Sequence, residues 1–418
     1  MTFLLLPTLA GAQAALTLND CVQLTLANNH SLQAQRFDLA SKESLADGAK
    51  GLAGPKITFG ASYQWQEDPT GIIVAHGLTT PAIFDDRGKV WGFSLLQNIY
   101  DAGKTGALIK YSDDTARLQS YETSSQELNL VGNVVKNFYR ILQMNDNIKA
   151  QQDTVNALES LSNDTHDKLK LGRVAEVDSL QVEAQFLAEK EKLMRYQNDR
   201  DRQVSLLKAA MGVAQSKYIE LTGTLNDYDF SIPIVTDLSR NPEIQKASVR
   251  KAQSEDSLKS AKADSAMQLS LNGRYNVTAV SRVGVHQDEM WIVMVQANLP
   301  VFDGGIIASN IRQTKLQVGK SAESYAQTVS DAEATAYSAR LSADSAVVRV
   351  DASKASLDRA QEAYRIVELS YRVNKASVTD LLFAQATQTT SQAAYYQAIF
   401  DRISAVVDLK IAYGQKVL

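Results

Sequence analysis

The chain has 418 residues, 44% of them apolar and 22% charged, and 43 Lys and Arg against 47 Asp and Glu leave a net charge of −4. That balance gives no bulk attraction for nucleic acid, and a single cysteine, Cys21, excludes a disulfide framework within one chain. The four histidines (His30, His76, His166, His286) stand far apart without H-x-x-H or H-E-x-x-H spacing, and there is no Walker loop or G-x-G-x-x-G run, so no metal, cofactor or enzyme activity is expected.

In chain order, an apolar run from Phe3 to Ala10 is followed by Ala12-Gln13-Ala14, the form of a secretory signal peptide over residues 1–14. Leu18-Asn19-Asp20 before Cys21 does not resemble a lipobox, so no lipid anchor is expected there. Leu16 to about Lys50 has the spacing of one amphipathic helix, with Thr17 or Asn19 as its cap and Gly51 and Gly54-Pro55 as its stop. The next stretch, about 56–66, sets Ile57, Phe59, Ala61, Tyr63 and Trp65 against Thr58, Gly60, Ser62 and Gln64. A period of two with large apolar side chains on one side marks a strand with one face in an apolar medium. A loop from Glu67 to Lys89 follows, then a second strand at about 90–98 with Trp91, Phe93 and Leu95 on one face.

Of 7 prolines, none falls between Pro81 and Pro233 and none follows Pro300. Proline breaks helix interiors, so both intervals are free to be helical. The first helical run, from about Asp101 to Lys170, breaks at residues 171–176 and returns to about Met211; residues 213–240 read as a mixed linker with room for a small strand or helix of its own.

From Asn241 the pattern starts again. An offset of 212 pairs Asn241-Pro242-Glu243-Ile244 with Asn29-His30-Ser31-Leu32, and Tyr275 with Tyr63. Two more strands are expected at about 267–277 and 290–299, and beyond them the offset drops to 202, which assigns the difference to a shorter loop. Leu299-Pro300-Val301-Phe302-Asp303-Gly304-Gly305 then answers Tyr100-Asp101-Ala102-Gly103, and a break at 373–378 answers the one at 171–176. The separation of Asp178 from Asp101 equals that of Asp380 from Asp303, 77 residues in each case (178 − 101 and 380 − 303). The chain therefore reads as two repeats, 15–212 and 241–418, each ending in a helical hairpin. At ~1.5 Å per residue such helices reach on the order of 100 Å, the dimension of a rod or duct.

Strands of about ten residues match the ~9–11 needed to cross a bilayer obliquely. Four strands do not close a barrel, and lipid tolerates no open sheet edge, so two or three chains would have to pool eight or twelve strands. A soluble antiparallel sheet packed on helices has the same period. Tyr63, Trp65, Trp91 and Trp291 near strand ends suit an aromatic girdle at the lipid boundary.

The duplicated set of Asn-Pro-Glu-Ile at 241–244, the Leu299–Gly305 junction, and Gly172 or Asn374 six residues before Asp178 or Asp380 resembles the TolC family of outer-membrane efflux proteins. The resemblance covers nearly the whole chain after residue 14. It implies a mainly α chain with a transmembrane β part, and a homotrimer sharing a 12-stranded β-barrel continued by an α-helical barrel. It places the protein in the outer membrane of a Gram-negative bacterium with most of the chain in the periplasm. Partners implied are a periplasmic adaptor and an inner-membrane pump.

The same resemblance directs attention to particular residues. Asp101, Gly103, Pro300, Asp303, Gly304 and Gly305 form the strand-to-helix junctions. Gly172, Arg173, Val174, Asn374, Lys375, Ala376 and Ser377 would be the adaptor-facing tips. Asp178 and Asp380, in the first turn of each returning helix, suit helix capping; repeated about a pore axis they would also form charged rings that select cations. Tyr371 falls where the family often has a tyrosine that ties the closed tip to the neighbouring hairpin, with Asp178 or a nearby backbone group as its partner. Phe383 stands where some members carry a second aspartate, so here an apolar constriction or an outward-packed side chain replaces a double acidic ring. The competing class is a soluble periplasmic coiled-coil adaptor or scaffold.

Overall fold

The computed structural model describes residues 15–65, 73–75, 78–79, 87–231, 237–280 and 288–417. The expected signal peptide, His76 and His286 lie outside them. The elements in chain order are α1 (Leu18–Asn28), α2 (His30–Lys50), β1 (Lys56–Trp65), β2 (Ile73–Ala75), β3 (Leu78–Thr79), β4 (Arg87–Tyr100), α3 (Lys104–Lys170), α4 (Glu176–Ala210), α5 (Pro242–Ala263), β5 (Gln268–Val280), β6 (Asp288–Asn298), α6 (Ile306–Arg372) and α7 (Val378–Ala412). Helices α3 and α6 have 67 residues each, and α4 and α7 have 35 each. The hairpins of the two repeats thus match in length residue for residue.

Sequence and structure differ at two places, the first helix and the loop over 67–89. The helix expected from Leu16 to Lys50 is two helices, because Asn29 takes an extended backbone (φ −65°, ψ 116°). Its side chain competes for local amides, as asparagine does: Oδ1 accepts from the Leu32 amide at 3.0 Å and Nδ2 donates to the Ala210 carbonyl at 2.8 Å. The loop expected over 67–89 contains the short β2–β3 pair. The 213–240 linker carries a 3-10 turn at Leu225–Asp227, and Leu221 forms an isolated parallel bridge with Leu16. At the N-terminus Thr17, rather than Asn19, caps α1, through a capping box with Asp20.

The chain divides into two compact units, each drawing on both repeats. One comprises residues 1–37, 121–245 and 328–418. Its core joins Val134, Val135, Phe138, Ile141 and Leu142 of α3 to Leu207 of α4, Ile399, Ile403, Val406 and Val407 of α7, and Cys21 of α1. Phe138, Tyr139, Tyr228 and Phe230 continue it as a chain of edge-to-face ring contacts, each 5.4 Å between centroids. Burial pushes the Cys21 thiol up to about 12, so this cysteine is an inert core residue.

The duplication recurs here at the level of single hydrogen bonds. Asn241 repeats Asn29: its Nδ2 donates to the Ala412 carbonyl at 2.8 Å, and its Oδ1 accepts from the Glu243 amide at 2.8 Å. Each returning helix ends in a glycine of left-handed conformation, Gly212 and Gly414, both at φ 65°. Each glycine lies against the residue preceding the asparagine. A Cβ on Gly212 would meet the Asn28 carbonyl oxygen at 2.6 Å, and one on Gly414 the Arg240 carbonyl oxygen at 2.4 Å. Only glycine fits either position.

The second unit comprises residues 38–120 and 246–327. It contains a four-stranded antiparallel sheet in the order β1-β4-β5-β6. Register aligns Ile57–Leu95, Phe59–Phe93 and Ala61–Trp91, then Phe93–Tyr275 and Trp91–Val277, then Tyr275–Trp291 and Leu271–Val295. One face is therefore apolar across all four strands, and the other carries Thr58, Ser62, Ser94, Ser270, Asn272 and Asn276. The helices of this unit are held by polar pairs: Lys104 to Asp264 at 2.6 Å, Gln253 to Thr115 at 2.9 Å, and Lys110 to buried Asp256 at 3.4 Å.

A Gly414→Ala substitution, forced into a left-handed backbone and against a carbonyl, is expected to lower the thermal unfolding temperature of the detergent-solubilised protein. Gly319→Ala, in the interior of α6 with open space around it, is expected to leave it unchanged or raise it, as Gly-to-Ala in a helix contributes about 0.5–1 kcal/mol. Equal effects of the two would show that the glycine contact has no structural part.

Candidate functional site

At the two strand-to-helix junctions an aspartate ends the strand connection and collects the free amides of the helix that follows. Asp101 accepts from the Gly103 amide at 3.1 Å and the Thr105 amide at 2.7 Å. Asp303 accepts from the Gly305 amide at 2.9 Å and the Ile307 amide at 2.5 Å. The intervening residues turn through left-handed conformations, Ala102 and Gly103 at φ 53° and 85°, Gly304 and Gly305 at φ 68° and 87°. The Ile307 amide leads the interactions that hold the Asp303 carboxyl below the usual range. Pro300 has no amide to donate and stands just past the end of β6.

The hairpin tips are built alike. Gly172 (φ 64°) and Asn374 (φ 59°) each end a 67-residue helix in the left-handed conformation. The amides of Gly172 and Arg173 donate to the carbonyls of Leu169 and Lys168, both at 2.9 Å; those of Asn374 and Lys375 donate to Tyr371 and Ser370 at 2.9 and 2.7 Å. This is the Schellman pattern, which satisfies the last carbonyls and turns the chain. Arg173, Lys375 and Ser377 are exposed, and Val174 and Ala376 are half-buried.

The returning helices start differently. Ser377 caps α7: its hydroxyl donates to Asp380 Oδ2 at 2.6 Å, its amide donates to the same oxygen at 3.0 Å, and its Oγ accepts from the Asp380 amide at 3.1 Å. Those bonds, the hydroxyl first, hold the Asp380 carboxyl below the usual range. In the first repeat Ala175 takes the cap position and supplies no side-chain acceptor, so Asp178 has no capping box. Val378, Leu381, Ala384 and Gln385 turn inward from α7, whereas Asp380 and Phe383 share an exposed stripe, Phe383 at 75%. An i, i+3 pair on that stripe presents a carboxylate and an aromatic ring side by side.

Tyr371, in the last turn of α6, is half-buried among groups from the other hairpin. Lys168 of α3 lies 5.8 Å from its ring centroid and bonds Asp164 at 2.6 Å. Burial raises the Tyr371 hydroxyl above its usual range; Lys168 opposes this, while the charges of Asp164 and Asp178 add to it. Tyr371 and Asp178 are therefore electrostatic neighbours. The hydroxyl makes no hydrogen bond among the described residues, and the ring is held by the Lys168 cation instead. Thr379 of α7 donates to Gln181 of α4 at 3.4 Å, a second link between the hairpins.

Residue-by-residue reading of the sequence missed Lys168 and the exposed apolar set Val177, Leu180 and Val373 at the tips. The signal was available in part. Lys168 precedes Gly172 by four residues, in the last turn of a helix where cations are favoured.

Among the described residues no group of His, Cys, Asp and Glu is arranged to hold a metal ion, and no helix is long and apolar enough to cross a membrane.

The family model described as outer membrane efflux protein matches residues 21–213 and 234–415, on either side of the linker. Among curated proteins the chain is 26% identical over 189 residues to nodulation protein T of Rhizobium leguminosarum bv. trifolii. That alignment spans 44% of this chain and 40% of the relative, less than half its length. The fold is that of solved outer-membrane channels. CmeC of Campylobacter jejuni superposes with a TM-score of 0.82 over 95% of this chain and 85% of that one, at 18% identity. MtrE of Neisseria gonorrhoeae, solved in an open state, gives 0.82 over 96% and 89%, at 16% identity. CusC gives 0.83 over 95% and 92%, at 14% identity. These findings give no support to a soluble coiled-coil adaptor or scaffold. With its family model matched through both repeats, the chain belongs to the outer membrane efflux protein family.

Proposed function

We propose that three copies of this chain form an outer-membrane channel, the passive exit duct of a tripartite efflux or type I secretion system. The observation that carries this reading is the sheet. Its apolar face stands in the open, with Trp65 69% and Trp291 74% exposed, and both edge strands, β1 and β6, lack a partner on their outer side among the described residues. Burying a large side chain of this kind is worth about 1.5–3 kcal/mol, and an unpaired edge in hydrocarbon leaves amides and carbonyls unsatisfied. Lipid covers the face, and β6 of one copy against β1 of the next closes the edges. Twelve strands make a barrel wide enough for a path, and the resemblance that favours three copies over two is to the family as a whole.

The tips then act as the periplasmic gate. Asp380 and Phe383 share one exposed stripe of α7 that their own chain leaves uncovered, so repetition about an axis would form a ring of carboxylates beside a ring of aromatic side chains. Asp178 and Tyr371 supply the second element of the gate: Tyr371, tethered by Lys168, would hold the α6 end close to the first hairpin in the closed state. Gly172, Arg173, Val174, Asn374, Lys375, Ala376 and Ser377, with apolar Leu171, Val177 and Val373 exposed around them, are the surface offered to a periplasmic adaptor, which an inner-membrane pump drives.

The protein extracted from outer membranes in mild detergent is expected to have the mass of three chains by light scattering corrected for detergent; a monomer without need of detergent would overturn the shared barrel. In planar bilayers, Asp380→Ala is expected to raise single-channel conductance and reduce cation selectivity. Unchanged conductance and selectivity would leave Asp380 with the capping role alone.

The pH dependence follows from the same bonds. The folded-state pKa of Asp380 is depressed, so its contribution to helix capping is fully present above the unfolded value of about 3.9 and is lost as pH falls through the lower folded value. The ring therefore stays charged at pH 5, and reversal potentials at pH 7 and pH 5 are expected to agree. A loss of cation selectivity between those two values, if it persists in Asp380→Ala, would assign selectivity to other groups; if it is confined to the wild type, it would show that the like charges of the ring outweigh the Ser377 bonds.

A further inference from the structure

The apolar face of the sheet accounts for one side of each strand; the opposite face holds an arrangement that neither the fold nor the gate requires. Three rows cross it. The central row runs Thr58, Ser94, Arg274, Ile292; on either side lie Lys56, Leu96, Asn272, Met294 and Gly60, Gly92, Asn276, Met290. Arg274 is exposed, and neither a carboxylate nor a hydrogen-bond acceptor engages its guanidinium among the described residues. Lys56 is exposed on the same face. None of the three rows contains an Asp or Glu.

The strand beside Arg274 breaks the alternation that β1 and β5 keep, as β4 does at Leu96. On β6 the positions expected to be polar are Met290, Ile292 and Met294, at 50%, 46% and 48% exposure. Ile292 lies directly across from Arg274, and the two methionines lie across from Asn276 and Asn272. Same-face neighbours along a strand are about 6.7 Å apart and adjacent strands about 4.8 Å. The guanidinium therefore borders an apolar stripe about 13 Å long, and the Lys56 ammonium sits two strands away.

We infer that this face binds amphipathic organic anions, with Arg274 pairing their carboxylate or sulfonate group and the Met290-Ile292-Met294 stripe receiving their apolar body. The inference rests on the duct reading, in which this face lines the barrel lumen; three copies then present three such sites around the exit path. Two physical facts favour this occupant over others. An unpaired guanidinium is a planar donor fork suited to carboxylate, sulfonate and phosphate oxygens. Methionine side chains are flexible and polarisable and accept apolar bodies of different shapes, and their sulfur favours aromatic rings. A hydrophilic anion gains from the first feature only, and an aromatic cation from the second only.

The test uses the full-length purified channel in planar bilayers. Single-channel conductance in potassium chloride is titrated with naphthalene-2-sulfonate in both compartments, with methanesulfonate and benzyltrimethylammonium as the two controls. Naphthalene-2-sulfonate is expected to block at concentrations where neither control does. Removing one charge-assisted pair is worth about 1.5–3 kcal/mol, so Arg274→Gln is expected to raise the half-blocking concentration about tenfold or more. Arg274→Lys is expected to restore much of the block. The Ile292→Ser variant, which keeps the charge, is expected to weaken block by naphthalene-2-sulfonate. Equal block of wild type and Arg274→Gln, or equal block by methanesulfonate or by benzyltrimethylammonium, would overturn the inference while the duct stands. Absence of conductance from the wild type itself would overturn the duct reading, and this inference with it.

Discussion

Hydrocarbon offers no water to a peptide group, and that constraint orders the rest of this molecule. Every amide and carbonyl within the membrane must be paired by protein, yet among the described residues the four-stranded sheet has two edges without a partner. The apolar face from Ile57 to Val295 makes the same demand from another direction, since most of its large side chains have no cover among the described residues. In the proposed trimer, membrane insertion and assembly of copies are therefore a single problem.

The helical part answers a different requirement with a repeated device. A strand must become a helix without leaving the first amides of that helix bare. Asp101 and Asp303 do this by accepting from amides two and four residues ahead, through residues held at positive φ. Two long helices must also turn back sharply, and Gly172 and Asn374 do so with the same pair of reverse hydrogen bonds. At the far end of each returning helix an asparagine bonds a carbonyl of the last turn, Asn29 to Ala210 and Asn241 to Ala412, and ties it to the start of the repeat. The two repeats have diverged in most side chains while these backbone solutions have stayed the same.

Where the repeats differ, the difference falls at the proposed gate. Ser377 caps α7 and engages Asp380, whereas Ala175 has no side-chain group to engage the Asp178 carboxylate, whose charge acts on Tyr371. Two carboxylates at equivalent positions of a duplication thus have different surroundings, one locked by a serine and one placed beside an aromatic ring from the other hairpin. The strands diverge as well. In β6 the second face is apolar at Met290, Ile292 and Met294, next to an Arg274 that has no partner among the described residues, while β1 keeps strict alternation.

Strand alternation, proline placement and the equal 77-residue spacing in the two halves were all legible in the sequence, because each is a local property of period or punctuation. They determined four strands, two helical hairpins, the junction aspartates and the tip residues. The sequence did not disclose that Asn29 divides the first helix, since that break depends on a carbonyl 181 residues away. Nor did it disclose the Lys168–Tyr371 contact or the tie between Gly414 and Arg240, which join segments far apart in the chain. Even the cross-strand row that sets Ile292 beside Arg274 required the register of β5 on β6. Periodicity states which side of its own strand or helix a residue occupies; only tertiary pairing decides what it faces.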